Sequence, residues 1–88
     1  MTGSAVSTIS VRVLLFASYS DVLGFDSLEL TIENPATVED VLNHLRSLPG
    51  GERLPAKPLC AVNLGHVHTA ALLASGDELA ILPPLAGG

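Results

Sequence analysis

The chain has 88 residues, enough for one small domain, and 48% are hydrophobic while only 15% are charged, below the ~25% usual for soluble domains. A net charge of −5, four scattered basic residues (Arg12, Arg46, Arg53 and Lys57) and 3% aromatic residues without Trp argue against nucleic-acid binding and base stacking. The single Cys60 precludes an internal disulfide, and no apolar run approaches the ~18–20 residues of a membrane span, so the expected setting is cytoplasmic.

Residues 1–8 read as a flexible N-terminal extension without the basic start and apolar core of a secretory signal. From Ile9 to Ala17 the β-branched residues predict a first strand, with Val11, Val13 and Leu15 on one face. Arg12, Leu14 and Phe16 fall on the other, which begins polar and turns apolar. Ser18 to Leu23 fits a turn or short helix that Gly24 would stop. Ser27 to Ile32 predicts a second strand, apolar at Leu28, Leu30 and Ile32, which Asn34-Pro35 breaks.

The clearest helix opens at Thr37, whose hydroxyl can cap the first turn while Glu39 and Asp40 favour the positive end of the dipole. Val38, Val41, Leu42, Leu45 and Leu48 form one apolar stripe, and Pro49-Gly50-Gly51 ends it. Leu59 to Asn63 predicts a third strand, Gly65 a tight turn, and His66 to His68 a short fourth strand. Leu72-Leu73 fits an irregular or short helical turn, and Glu78 to Leu82 the last strand. One amphipathic helix covers one face of a sheet, so the order predicts an α+β domain with a mixed sheet. Apolar residues on both faces of the first and last strands then leave a patch for a protein partner, and the negative charge favours a basic one.

Past Leu82 the sequence runs Pro83-Pro84-Leu85-Ala86-Gly87-Gly88. The prolines hold a tail extended and cannot donate to a ladder, and the glycines lack the Cβ that a narrow channel would reject. At ~3.3–3.6 Å per residue such a tail reaches roughly 20 Å. Its reactive group is then the main-chain carboxylate of Gly88. Other residues offer less. Cys60 sits in an apolar strand without a charged neighbour in sequence, which suits core packing better than a nucleophile. His66 and His68 lie i, i+2, yet no Cys or carboxylate stands near them in sequence, so no metal site is assigned. Gly50-Gly51 is not followed by the Lys or Ser/Thr of a phosphate cradle.

Several segments together are similar to one known family. They are Val11-Arg12-Val13-Leu14-Leu15-Phe16-Ala17, Asp21-Val22-Leu23-Gly24, Thr37-Val38-Glu39-Asp40-Val41, Ala61-Val62-Asn63, Gly76-Asp77-Glu78-Leu79 and the Pro-Pro to Gly-Gly ending. From about Ser10 to Gly88 the chain resembles the small, sulfur-carrying subunits of molybdopterin synthase. The resemblance implies a ubiquitin-like β-grasp fold: a mixed sheet of four to five strands, one main helix on one face and a flexible Gly-Gly tail. The domain would span 9–82 and the tail 83–88.

The resemblance further implies a cycle in which Gly88 is adenylated by a ubiquitin-activating-type enzyme that uses ATP. A sulfur donor protein then converts it to a thiocarboxylate, which gives its sulfur to a cyclic pterin precursor in the large subunit. The carrier would catalyse nothing alone and bind no cofactor, and its partners would include the large subunit, as a heterotetramer, but no nucleic acid and no membrane. Leu82, Pro83, Pro84 and Leu85 would anchor the tail, Ala86 and Gly87 would lead it, and Phe16 and Ile81 are candidates for partner surface. Core packing is the alternative for Leu82 and for Phe16. Relatives tend to carry aromatic residues before the Pro-Pro pair, where this chain has Ile81-Leu82. The alternative functions are the thiamin-pathway sulfur carrier, a ubiquitin-like protein modifier and a plain binding module.

Overall fold

The computed structural model describes residues 7–55 and 58–83. Strand β1 (Thr8–Leu15) begins inside the segment assigned to the extension and stops two residues before Ala17. It stops because Ala17 takes φ 53° and ψ −129°, and helix α1 (Ser18–Leu23) follows at once. Gly24 ends α1 as expected, at φ 86°, with its N–H donating to the Ser20 carbonyl at 2.8 Å.

Strand β2 (Ser27–Glu33) pairs antiparallel with β1. Next come β3 (Ala36–Thr37) and helix α2 (Val38–Arg46), then a 3₁₀ turn at Gly51–Arg53. Four strands close the domain: β4 (Leu59–Val62), β5 (Gly65–Val67), β6 (Leu72–Leu73) and β7 (Glu78–Leu82). The main sheet has the order β2-β1-β7-β4-β5, and β3 and β6 form a second, two-stranded sheet. β7 runs parallel to β1 and antiparallel to β4, so the sheet is mixed and its last strand is central.

The start of α2 shows why Leu72-Leu73 is a strand rather than a helical turn. The first N–H groups of a helix lack intrahelical partners. Here Val38 N donates to the Ala71 carbonyl at 3.0 Å and Glu39 N to the Thr69 carbonyl at 2.8 Å. Asp40 N donates to Thr37 Oγ1 at 3.2 Å, and Thr37 N returns a bond to Asp40 Oδ2 at 2.9 Å, closing a capping box. A turn at Thr69-Ala70, closed by Ala71 N donating to the His68 carbonyl at 3.0 Å, presents these carbonyls and leads into the strand that pairs Leu73 with Ala36 and Leu72 with Thr37. Periodicity within Leu72-Leu73 carries no trace of that distant requirement.

The core lies between α2 and one face of the sheet. Val38, Val41, Leu42 and Leu45 of α2 meet Val11, Val13, Leu15, Cys60, Leu79 and Ile81 in one buried cluster. Beyond α2, a Cβ on Gly50 would strike the Val22 carbonyl and one on Gly51 the Leu45 carbonyl. Those glycines let the helix exit pack against its neighbours, a structural use rather than anion binding.

Candidate docking face and tail root

Strand register brings distant residues together on the side of the sheet away from α2. Leu14 pairs with Ala80, Ala80 with Ala61, and Leu59 with Leu82, which places all five side chains on that outer face. Phe16, one residue past β1, continues the alternation beside them. Phe16 and Leu59 are each 44% exposed, while Leu82 and Pro83 are half-buried. Ala61 is buried but stands outside the core cluster, because it lies on this face.

Along β1 the outer face changes character. Ser10 sits opposite Thr31, Arg12 opposite both Glu29 and Glu78, and Leu14 opposite Ser27 and Ala80. Polar pairs occupy one end and apolar residues the other, as the sequence of β1 implies. The apolar end is where β7 leaves the sheet at Leu82-Pro83. The chain therefore departs from a central strand bonded on both edges, next to the patch. An extended segment is aimed best from such a root.

Of the two residues named as partner surface, Phe16 is exposed and Ile81 is not. Ile81 pairs with Leu15 and Cys60, faces α2 and has no exposed area, which corrects its assignment to the surface. Leu82 lies on the outer face rather than in the core. Pro84, Leu85, Ala86, Gly87 and Gly88 lie outside the described residues. Leu14 lies on this face as the sequence implies, while Leu59 and Ala80 are members of the patch that sequence reasoning did not single out. Alternation within Leu59-Cys60-Ala61-Val62 separates two faces, but only the pairing with β7 shows which face meets Leu82.

The motif residues Asn63, Asp77 and Glu78 form a clasp at the other end of β7. Asn63 N donates to the Glu78 carbonyl at 2.9 Å, and Asn63 Oδ1 accepts from Glu78 N at 3.0 Å. Asn63 Nδ2 donates to Asp77 Oδ1 at 3.0 Å, and Asp77 Oδ2 accepts from Ala74 N at 2.8 Å. Asn63 and Leu64 take φ 49° and 75°, so they, and not Gly65, make the tight β4–β5 turn. The clasp fixes where β7 begins against β4.

Cys60 faces the core, where its thiol donates to the Pro58 carbonyl at 3.5 Å. Burial, and then the charge of Glu39, push its pKa up to about 11. It is a protonated, inert packing group at neutral pH. His66 is exposed beside Ala61 on the outer face, and His68 lies beyond the end of β5. No helix among the described residues is long and apolar enough to cross a membrane.

The model of the ThiS family matches residues 13–88. The chain belongs to that family. It is 35% identical over 81 residues to the molybdopterin synthase sulfur carrier subunit of Escherichia coli, covering 89% of this chain and 99% of that one. It is 31% identical over 83 residues to the subunit of the same name from Arabidopsis thaliana, covering 93% of this chain and 86% of that one. Among solved structures, the Haloferax volcanii HVO 2177 protein superposes with a TM-score of 0.81 at 25% identity, covering 100% of this chain and 94% of that one. The ThiS-family fold is thus the ubiquitin-like β-grasp that the resemblance implied, realised with five strands in the main sheet.

Proposed function

We propose that this chain is a sulfur carrier in molybdenum cofactor biosynthesis, acting as the small subunit of molybdopterin synthase. The observation that carries the proposal is the root of the tail: central strand β7 leaves the sheet at Leu82-Pro83 beside an apolar patch. The similarity to sulfur carrier subunits over 89–93% of the chain supports the substrate class.

Gly88 is the working residue. Its carboxylate is ionised at neutral pH, and its oxygen is a poor leaving group. An adenylating enzyme of the ubiquitin-activating type spends ATP to join the carboxylate to AMP, releasing pyrophosphate. A sulfur donor protein then displaces AMP and leaves a thiocarboxylate. In the large subunit that sulfur bonds to the cyclic pterin precursor, water cleaves the acyl–sulfur bond, and Gly88 returns to a carboxylate for another round.

The outer face, with Phe16, Leu59 and Leu82, docks on the large subunit in a heterotetramer. Pro83, Pro84 and Leu85 anchor the tail, and Ala86 and Gly87 pass through the channel. The carrier binds no cofactor and catalyses nothing by itself; it supplies a positioned acyl group, and the partner's site supplies the chemistry.

Mass spectrometry tests this directly. After incubation with the activating enzyme, ATP and a sulfur donor, the C-terminal peptide gains the mass of one oxygen-to-sulfur exchange. A variant lacking Gly88 does not, and it supports no molybdopterin formation while keeping its melting temperature. An unmodified terminus in the full-length chain under these conditions overturns the proposal.

A further inference from the structure

An open groove of about 500 Å³ begins at the apolar patch and runs around the end of the β1–β2 pair, lined in part by Arg12, Leu14, Phe16, Ala17, Ser20 and Asp26. It adjoins a second hollow of about 490 Å³ that shares Ser20 and Asp26 and adds Asp21, Gly24 and Phe25. Phe16 belongs both to the patch and to the groove, so whatever covers the patch also overhangs the groove.

We propose that this groove is a second contact zone of the docking face and receives a basic side chain, arginine or lysine, from the protein that covers Phe16. The inference rests on the reading of the outer face as a docking surface and names the chemistry of the partner's rim. Three observations carry it.

The first is continuity, since the groove opens directly from the patch through Phe16 and Leu14. The second is charge. Among the described residues, Asp21 and Asp26 line the hollows, Arg12 is the only cation lining them, and neither aspartate side chain has a hydrogen bond or ion pair. A partner that dehydrates these carboxylates must supply a cation or leave them unpaired, and arginine meets a carboxylate with two parallel bonds.

The third is the fixed wall between patch and groove. Phe16 O accepts from Tyr19 N at 3.1 Å across Ala17 and Ser18. Ala17 O accepts from Ser20 N at 3.2 Å and from Ser20 Oγ at 2.8 Å. Ala17 holds φ 53° and ψ −129°, the glycine-like position of a type II′ turn. Tyr19, buried in the core, pins the far side of that turn. Such over-determined strain keeps a surface in one shape, as binding sites require.

Complex formation with the cognate large subunit, followed by stopped-flow and calorimetry over a range of salt concentrations, tests the assignment with the full-length chain. The double variant Asp21→Asn/Asp26→Asn should bind about tenfold more weakly at low salt, mostly through slower association, with a flatter salt dependence. Asp26→Lys should weaken binding further, and all these variants should keep the wild-type melting temperature. Unchanged affinity and salt dependence in the double variant overturns the groove. Phe16→Ala, measured in parallel, separates the two claims. If it weakens the complex while the aspartate variants do not, only the groove falls; if it leaves the complex intact, the docking face falls and the groove with it.

Discussion

On the α2 side of the sheet, alternate residues of β1 and β7 are Val11, Val13, Leu15, Leu79 and Ile81, all buried and closed over by the helix stripe. On the other side the same two strands carry Arg12, Leu14, Ala80 and Leu82, exposed or half-buried, without a covering element among the described residues. Neighbouring residues such as Ile81 and Leu82 are chemically near-equivalent, yet a strand's period of two sends them to opposite fates. The inner member contributes to folding, and the outer one stays available to a partner. A small carrier can thereby keep one apolar surface for stability and another for recognition.

The largest effect that can break this comparison is on stability. Ile81→Ala deletes buried carbons at a site with no exposed area, and the expected cost is ~2–5 kcal/mol. Leu82→Ala, one residue along, should cost less than ~1 kcal/mol, because it removes a side chain that is already partly in water. Urea denaturation of the two variants measures both values. Equal losses would mean that the outer face is part of the folding core.

A smaller effect sharpens the other half of the comparison. Leu59 stands opposite Leu82 and is 44% exposed, so Leu59→Glu leaves the helix-side core untouched. The carboxylate remains hydrated in the free carrier but must be dehydrated under a partner. Affinity for the large subunit should then fall by ~2 kcal/mol or more, roughly thirtyfold, with little change in melting temperature. A Leu59→Glu variant that binds normally would move the docking surface elsewhere.

These contrasts also explain what could be read from the residues alone. Local chemistry announced α2, because Thr37, Asp40 and the Val38 to Leu45 stripe need no distant partner to be recognised. Gly24 likewise marks the end of α1. Ile81 was misplaced for a definite reason: Ile81-Leu82 is apolar at both positions, so alternation cannot say which one faces the helix. Pairing with Leu15 and Cys60 decides it, and those residues lie far away in sequence. Leu59 escaped for the same reason. The β3–β6 pair and the Asn63–Asp77 clasp are long-range as well.

The smallest effect concerns the one nucleophilic side chain on the inner face. Cys60 is 2% exposed, and its pKa rises from 9.0 to about 11, first through burial and then through the charge of Glu39. Between these values the unfolded chain has lost its thiol proton while the folded protein still holds one. The folded state therefore binds more protons, and its stability must fall as pH climbs from about 9 to 11. Below pH 9 the thiol contributes no slope. Cys60→Ala removes this titration, so its stability should decline less steeply across the window, even though the variant starts lower for want of the buried sulfur. Tyr19, whose pKa is also raised, first by burial and then by the charge of Cys60, loses the second cause in Cys60→Ala, which changes the slope in the same direction. Chemical denaturation at closely spaced pH values measures the two slopes, and a thiol-reactive aromatic disulfide should label Cys60 only as the protein unfolds. Equal slopes with rapid labelling of the native protein would place Cys60 on the accessible side of the sheet and dissolve the distinction between its two faces.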